Sequence, residues 1–246
     1  MKFQSFVVWS VWLTSICLSS SATTFSGNGV LGGPIGSGSL TLTDNGTTVS
    51  STLTRGSGTL DGVFVLYIDS VALGFSSTAT LADGADSLRK AISGFDGGLN
   101  RSVMTFDSAF SPDYAIALSP TGVQFGGLYQ LNAGVNNSLT LLGSVGLSPS
   151  NSNSSVSYTF SFNFSQIGLT GANGESFKLF GTYMRADGRS FEALPGNDTA
   201  TAEGWTPFLE TQFQTYSVVP EPSPLGLFSL AALGGLICWR WFRWKD

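Results

Sequence analysis

The clearest pattern in the chain is Ser155-Val-Ser-Tyr-Thr-Phe-Ser-Phe-Asn-Phe164. Val156, Tyr158, Phe160, Phe162 and Phe164 alternate with Ser155, Ser157, Thr159, Ser161 and Asn163. Strict period two predicts a strand with one buried face. In Thr41-Leu-Thr-Asp-Asn-Gly-Thr-Thr-Val-Ser-Ser-Thr-Leu-Thr54, Asn45-Gly46 follows Asp44 between two strand-like runs, a tight-turn signal. Further strands are predicted at Val63–Ile68, Ser102–Phe106, Tyr114–Leu118, Val123–Leu131, Leu139–Leu142, Ser176–Met184 and Gln212–Val218. Helical periodicity is confined to Gly84-Ala-Asp-Ser-Leu-Arg-Lys-Ala-Ile-Ser93, with Asp83 or Asp86 near the start, where an acid suits the helix dipole.

About ten short strands, frequent glycine turns and one short helix predict an all-β fold. The expected architecture is a single antiparallel β-sandwich domain over 23–217. The segment Asn136 to Ser155 reads as a strand followed by an exposed loop, not as a linker between domains.

Composition narrows the function classes. Charged residues make up 11% of the 246 residues, and Gly (31) and Phe (19) are abundant. Plentiful aromatic and β-branched residues argue against disorder. Setting aside Lys2, Glu221, Arg240, Arg243, Lys245 and Asp246 leaves 14 acids against 7 bases, about −7. Such a body lacks the electrostatic footprint of a nucleic-acid binder. There is no histidine, which excludes a Ser-His-Asp triad and His-ligated zinc or haem. Only Met104 and Met184 lie in the body as other haem ligands. The two cysteines, Cys17 and Cys238, lie in the terminal hydrophobic runs, so the body has neither disulfide nor thiol nucleophile.

Both ends read as addresses. Lys2, an apolar run from Phe6 to Leu18 and then small residues follow the order of a secretory signal peptide over 1–22, with cleavage expected after Ala22. That implies passage through Sec-type export machinery. Cys17 raises a lipoprotein alternative, but Ile16 stands before it where a small residue is needed. At the other end, Leu225 to Trp239 is uncharged and mostly apolar, and its 15 residues fall short of a comfortable span. Extension to Trp244 gives a transmembrane helix over 225–244, with Arg240 and Arg243 able to snorkel and Trp239, Trp241 and Trp244 suited to the interface. Arg240, Arg243 and Lys245 act as membrane-stop residues and keep the end cytoplasmic. Both ends therefore place the body outside.

The residues before that run carry a specific resemblance. Val219-Pro220-Glu221-Pro222-Ser223, then a Gly-containing apolar helix, then a basic end resembles a PEP-CTERM sorting signal over 218–246. The match covers the last 28 residues, and the basic cluster Arg240-Trp-Phe-Arg-Trp-Lys245 is interrupted where the family has consecutive arginines. The resemblance implies recognition and removal of the tail by exosortase, and sorting to the cell surface or extracellular matrix of a polysaccharide-producing Gram-negative bacterium, as in biofilm. The membrane would then be occupied only transiently, as an inner-membrane intermediate. Pro220 and Pro222 forbid regular helix and favour the extended backbone a protease needs. In the body, Val65-Leu-Tyr-Ile-Asp69, an Asp-rich loop and Asp113-Tyr-Ala-Ile-Ala-Leu118 resemble DOMON-like and related carbohydrate-binding sandwich modules; that likeness implies a fold and no binding residues.

Candidate chemistry is sparse. Seven of the eleven aspartates fall between 61 and 113. Asp69, Asp83 and Asp86 are the candidate Ca²⁺ ligands, since clustered loop carboxylates hold hard cations. Acids in turns also form Asx-turns and caps, which explains the same pattern without metal. Trp205 and Tyr183 are candidate stacking platforms for a sugar. Glu175, Glu192, Glu203 and Glu210 are available for carboxylate-based glycoside hydrolysis, but no spacing singles out a pair. The leading expectation is an exported, non-enzymatic surface or matrix protein without a cofactor beyond possible Ca²⁺. A carbohydrate-binding module acting on matrix polysaccharide is the alternative, and a secreted hydrolase comes third.

Overall fold

A computed structural model describes residues 22–121, 125–147 and 151–218. The signal-peptide segment up to residue 21 and the sorting segment from 219, with its apolar run, lie outside the described residues. Among the described residues no helix is long and apolar enough to cross a membrane.

The first sheet has the order β1 (Thr23–Ser26), β2 (Ser39–Asp44), β3 (Thr48–Thr54), β9 (Ser157–Asn163), all antiparallel. Asn45-Gly46 makes the β2–β3 connection as expected. Gly46 takes φ +76°, a left-handed conformation that glycine adopts without strain, and Asn45 Oδ1 accepts from the amides of Thr47 and Thr48. Tyr158, Phe160 and Phe162 of β9 point inward and their polar neighbours outward. Val156 departs from the expected face: it is 69% exposed, because pairing of β9 with β3 begins only at Ser157.

The second sheet runs β11 (Gly188–Ala193), β10 (Ser176–Arg185), β4 (Val63–Asp69), β6 (Tyr114–Ser119), β7 (Phe125–Gln130), β8 (Thr140–Ser144), and β14 (Gln214–Ser217) also pairs with β10. Every pair in it is antiparallel. β4 and β6, which bear the Tyr67-Ile-Asp69 and Tyr114-Ala-Ile116 segments, are hydrogen-bonded neighbours. Both are buried on both faces, and accordingly both read as unbroken apolar runs instead of alternating ones.

Two cores result. Phe64, Leu66 and Ile68 of β4 join Leu40, Leu53, Tyr158 and Phe160 of the first sheet. Val63, Val65 and Tyr67 face the opposite way and meet α1 (Ser87–Ser93) through Leu88, Ala91 and Ile92. The same side carries a small third sheet of β12 (Asn197–Ala200), β13 (Phe208–Gln212) and β5 (Met104–Thr105), in which β13 and β5 pair in parallel. α1 starts where the sequence predicts. Asp86 caps it, accepting from the amides of Leu88 and Arg89, and Gly94 ends it at φ +68°.

The described residues contain fourteen strands where about ten were expected. The four unexpected ones are β1, β11, β12 and β13. They are four to six residues long, and β11, β12 and β13 turn charged side chains inward, which erases the apolar period.

Candidate functional site

β11 is the strand on which the polar interior converges. Arg189 and Glu192 lie an odd number of residues apart, so the pleat sends them to opposite faces of the sheet. Glu192 points toward the loop that joins β1 to β2. Its Oε2 accepts from the amides of Ile35 and Gly36, both at 2.8 Å. The residue is 3% exposed, and Oε1 has no hydrogen-bond partner among the described residues. Gly33 closes over this carboxylate. A Cβ there would stand 2.3 Å from Oε1, so a larger residue would force the carboxylate to move.

Glu192 forms part of the lining of an open cleft of about 750 Å³. Asp61, Tyr183, Arg185 and Asp187 also line it, with glycine backbone from Gly32, Gly33, Gly58 and Gly62. Asp61 accepts from Thr59 Oγ1 and from Asn153 Nδ2, each at 2.6 Å. Those two bonds, Thr59's first, hold its carboxyl below the usual aspartate range. Arg185 faces Asp187 at 3.4 Å and Glu203 at 4.0 Å. The Tyr183 ring is buried in the first core, and its hydroxyl accepts from the Gly62 amide at 2.8 Å. Burial pushes the phenol's pKa up.

On the other face of β11, Arg189 is fully buried. Its Nη2 donates to the Tyr67 hydroxyl at 3.4 Å, while Nε and Nη1 have no hydrogen-bond partner among the described residues. Asp198 of β12 and Glu210 of β13 are register partners directly across the third sheet, 6% and 1% exposed. Asp198 Oδ2 accepts from Thr182 Oγ1 at 3.5 Å, and Glu210 Oε2 from the Asp107 amide at 2.9 Å. The second oxygen of each is buried without a partner among the described residues. Burial pushes the Asp198 carboxyl up to about 7, against the downward pull of Arg189. Burial raises Glu210 as well. Both carboxyls are raised because burial penalises the charged form, and no hydrogen bond joins one to the other among the described residues. Neither acid lines the cleft.

The residues expected from sequence fall into separate groups. Asp83 and Asp86 come together around Arg89 of α1. Asp83 is fully buried and accepts from the amides of Ala85, Asn137 and Leu139, so it ties two loops to the helix. Asp69 stands in another group, 3.1 Å from Lys178 Nζ and accepting from the Ser111 amide. Among the described residues no three acidic side chains converge on a position that a metal ion could occupy. Tyr183 reaches the cleft, but with its ring buried it offers no open face for stacking. Trp205 is half-buried against the second core, on the other side of the second sheet from Tyr183. Val219, Pro220, Glu221, Pro222, Ser223, Arg240, Arg243 and Lys245 lie outside the described residues.

In the sequence Glu192 and Glu210 stand only as unpaired carboxylates, and nothing singles out Arg189, Asp198 or Asp61 as site residues. The only signal available was indirect. Gly188-Arg-Ser-Phe-Glu-Ala193 alternates if a buried arginine and a buried glutamate are admitted as inward residues. No protein-family model matches the chain, and no curated protein or solved structure is significantly similar to it.

Proposed function

We propose that the chain is an exported, non-enzymatic protein of the cell surface or extracellular matrix, sorted and processed by exosortase. One observation carries this reading: the order Val219-Pro220-Glu221-Pro222-Ser223, apolar run, then Arg240, Arg243 and Lys245. The two facing sheets are taken as the layers of an antiparallel β-sandwich, with α1 and the third sheet added to one side. Two features suit this role. The body has no cysteine, so its stability does not depend on redox conditions outside the cell. Among the described residues the last of the core is Val218, immediately before the motif. Deleting residues 219–246 should leave a folded protein that is missorted. Normal delivery of that truncation to the surface would sink the proposal.

A second reading, carbohydrate binding, is favoured by the cleft. Its volume lies within the range of about 300–1,000 Å³ common for ligand sites. Its lining of carboxylates, one guanidinium and glycine backbone suits a hydroxyl-rich ligand. Titration of the full chain with polysaccharide from the producing strain tests this, and no detectable binding would remove it.

A further inference from the structure

We propose that the cleft selects an amino sugar whose amine is free, with Glu192 and Asp61 receiving the ammonium and the glycine backbone walls receiving the hydroxyls. This rests on the carbohydrate-binding reading above and narrows it to one sugar class.

The first argument is the state of Glu192. A carboxylate that is 3% exposed has lost most of its hydration. Two amides match Oε2, and Oε1 accepts from no described residue. A donor arriving from the cleft completes the set.

The second argument is charge. Asp61, Asp187 and Glu192 line the cleft against a single cation, Arg185, which Asp187 and Glu203 already engage. The remaining charge is that of Asp61 and Glu192. It repels a uronic acid, and it attracts an ammonium through charge-assisted hydrogen bonds. An N-acetylated amine supplies no charge to meet it.

The third argument is the wall. Gly32 and Gly58 have left-handed backbone and open space where a Cβ would stand; their carbonyls accept from Ser37 Oγ and Arg55 Nη1, while the amides of Gly32, Gly33 and Gly58 donate to no described residue and are left for sugar oxygens. Such walls hydrogen-bond sugar hydroxyls and offer little to the hydrocarbon stem of a lysine or a polyamine.

Isothermal titration of the full chain at pH 6 tests the proposal with four probes: the trisaccharides of glucosamine, N-acetylglucosamine and glucuronic acid, and trilysine. The glucosamine trimer should bind about tenfold tighter than the N-acetylated one, the equivalent of one charge-assisted hydrogen bond. Glucuronic acid trimer should not bind. Glu192→Gln and Asp61→Asn should each erase the preference. Asp61 is exposed, so the second variant reports on binding even if the first disturbs the loop at Ile35 and Gly36. If both glucosamine forms bind equally and Asp61→Asn has no effect, the amine claim falls and carbohydrate binding stands. If no saccharide binds, both fall. Trilysine binding as tightly as the glucosamine trimer also overturns the proposal, because the cleft would then read charge without reading sugar.

Discussion

Replacing Asp198 with asparagine should change how the stability of this protein depends on pH. In the folded chain, burial pushes the Asp198 carboxyl from 3.8 up to about 7. Unfolded, it titrates near 3.9. Below about pH 4 the group is protonated in both states and affects stability equally in each. Between about pH 4 and 7 the unfolded chain has released a proton that the folded chain retains, so stability falls as pH rises, by about 1.4 kcal/mol per unit. Above the folded value both states are ionised and the full penalty stands. The difference between 3.8 and about 7 corresponds to about 4 kcal/mol. That is a large share of the 5–15 kcal/mol typical of a domain (roughly). Asparagine keeps an oxygen for Thr182 Oγ1 and cannot ionise. Urea unfolding of both proteins from pH 4 to pH 8 gives the stability gap at each pH. It should widen by about 4 kcal/mol in favour of Asp198→Asn, mostly between pH 4 and 7. Glu210, also raised by burial, titrates in both proteins and cancels to first order. A gap that stays flat across the range would show that Asp198 is not held in a desolvated site and would refute the reasoning.

Asp86→Ala removes the cap of α1 and its ion pair with Arg89, and should cost about 1 kcal/mol in denaturant unfolding. Tyr216→Phe deletes the 2.6 Å hydrogen bond from the buried phenol to Asp44 Oδ2, which links the second sheet to the first, and should cost about 1.5–3 kcal/mol by the same measurement. Gly33→Ala drives a Cβ into the Glu192 carboxylate and should lower stability by about 1–3 kcal/mol while speeding amide exchange at Ile35 and Gly36.

How legible the fold was depends on which side chains face inward. β9 alternates aromatics with serines, and β4 and β6 are solid apolar runs, so their patterns announce them. Asn45-Gly46 and the Asp86 cap announce the turn and the helix through local backbone chemistry, which acts over a few residues and can be read directly. β11, β12 and β13 escape the same reading because Arg189, Glu192, Asp198 and Glu210 occupy inward positions where apolar residues are expected. The candidate site therefore stayed hidden for the reason that it exists. Its charged groups sit on strands whose pairing brings Asp198 opposite Glu210 and whose pleat points Glu192 toward a loop more than 150 residues earlier. No local spacing records either relation. The aspartates between 61 and 113 illustrate the converse. They are dense in sequence, yet Asp69 is claimed by Lys178 and Ser111, and Asp83 and Asp86 by Arg89 and nearby amides.

The measurement closest to the central claim is the intact mass of the protein recovered from the cell surface or matrix, in strains with and without exosortase. With exosortase, the account predicts a chain that has lost its C-terminal apolar run and basic end. Without it, the full tail through Asp246 should be retained and the protein held in the membrane fraction. Surface protein carrying the complete tail, whether or not exosortase is present, would contradict the account.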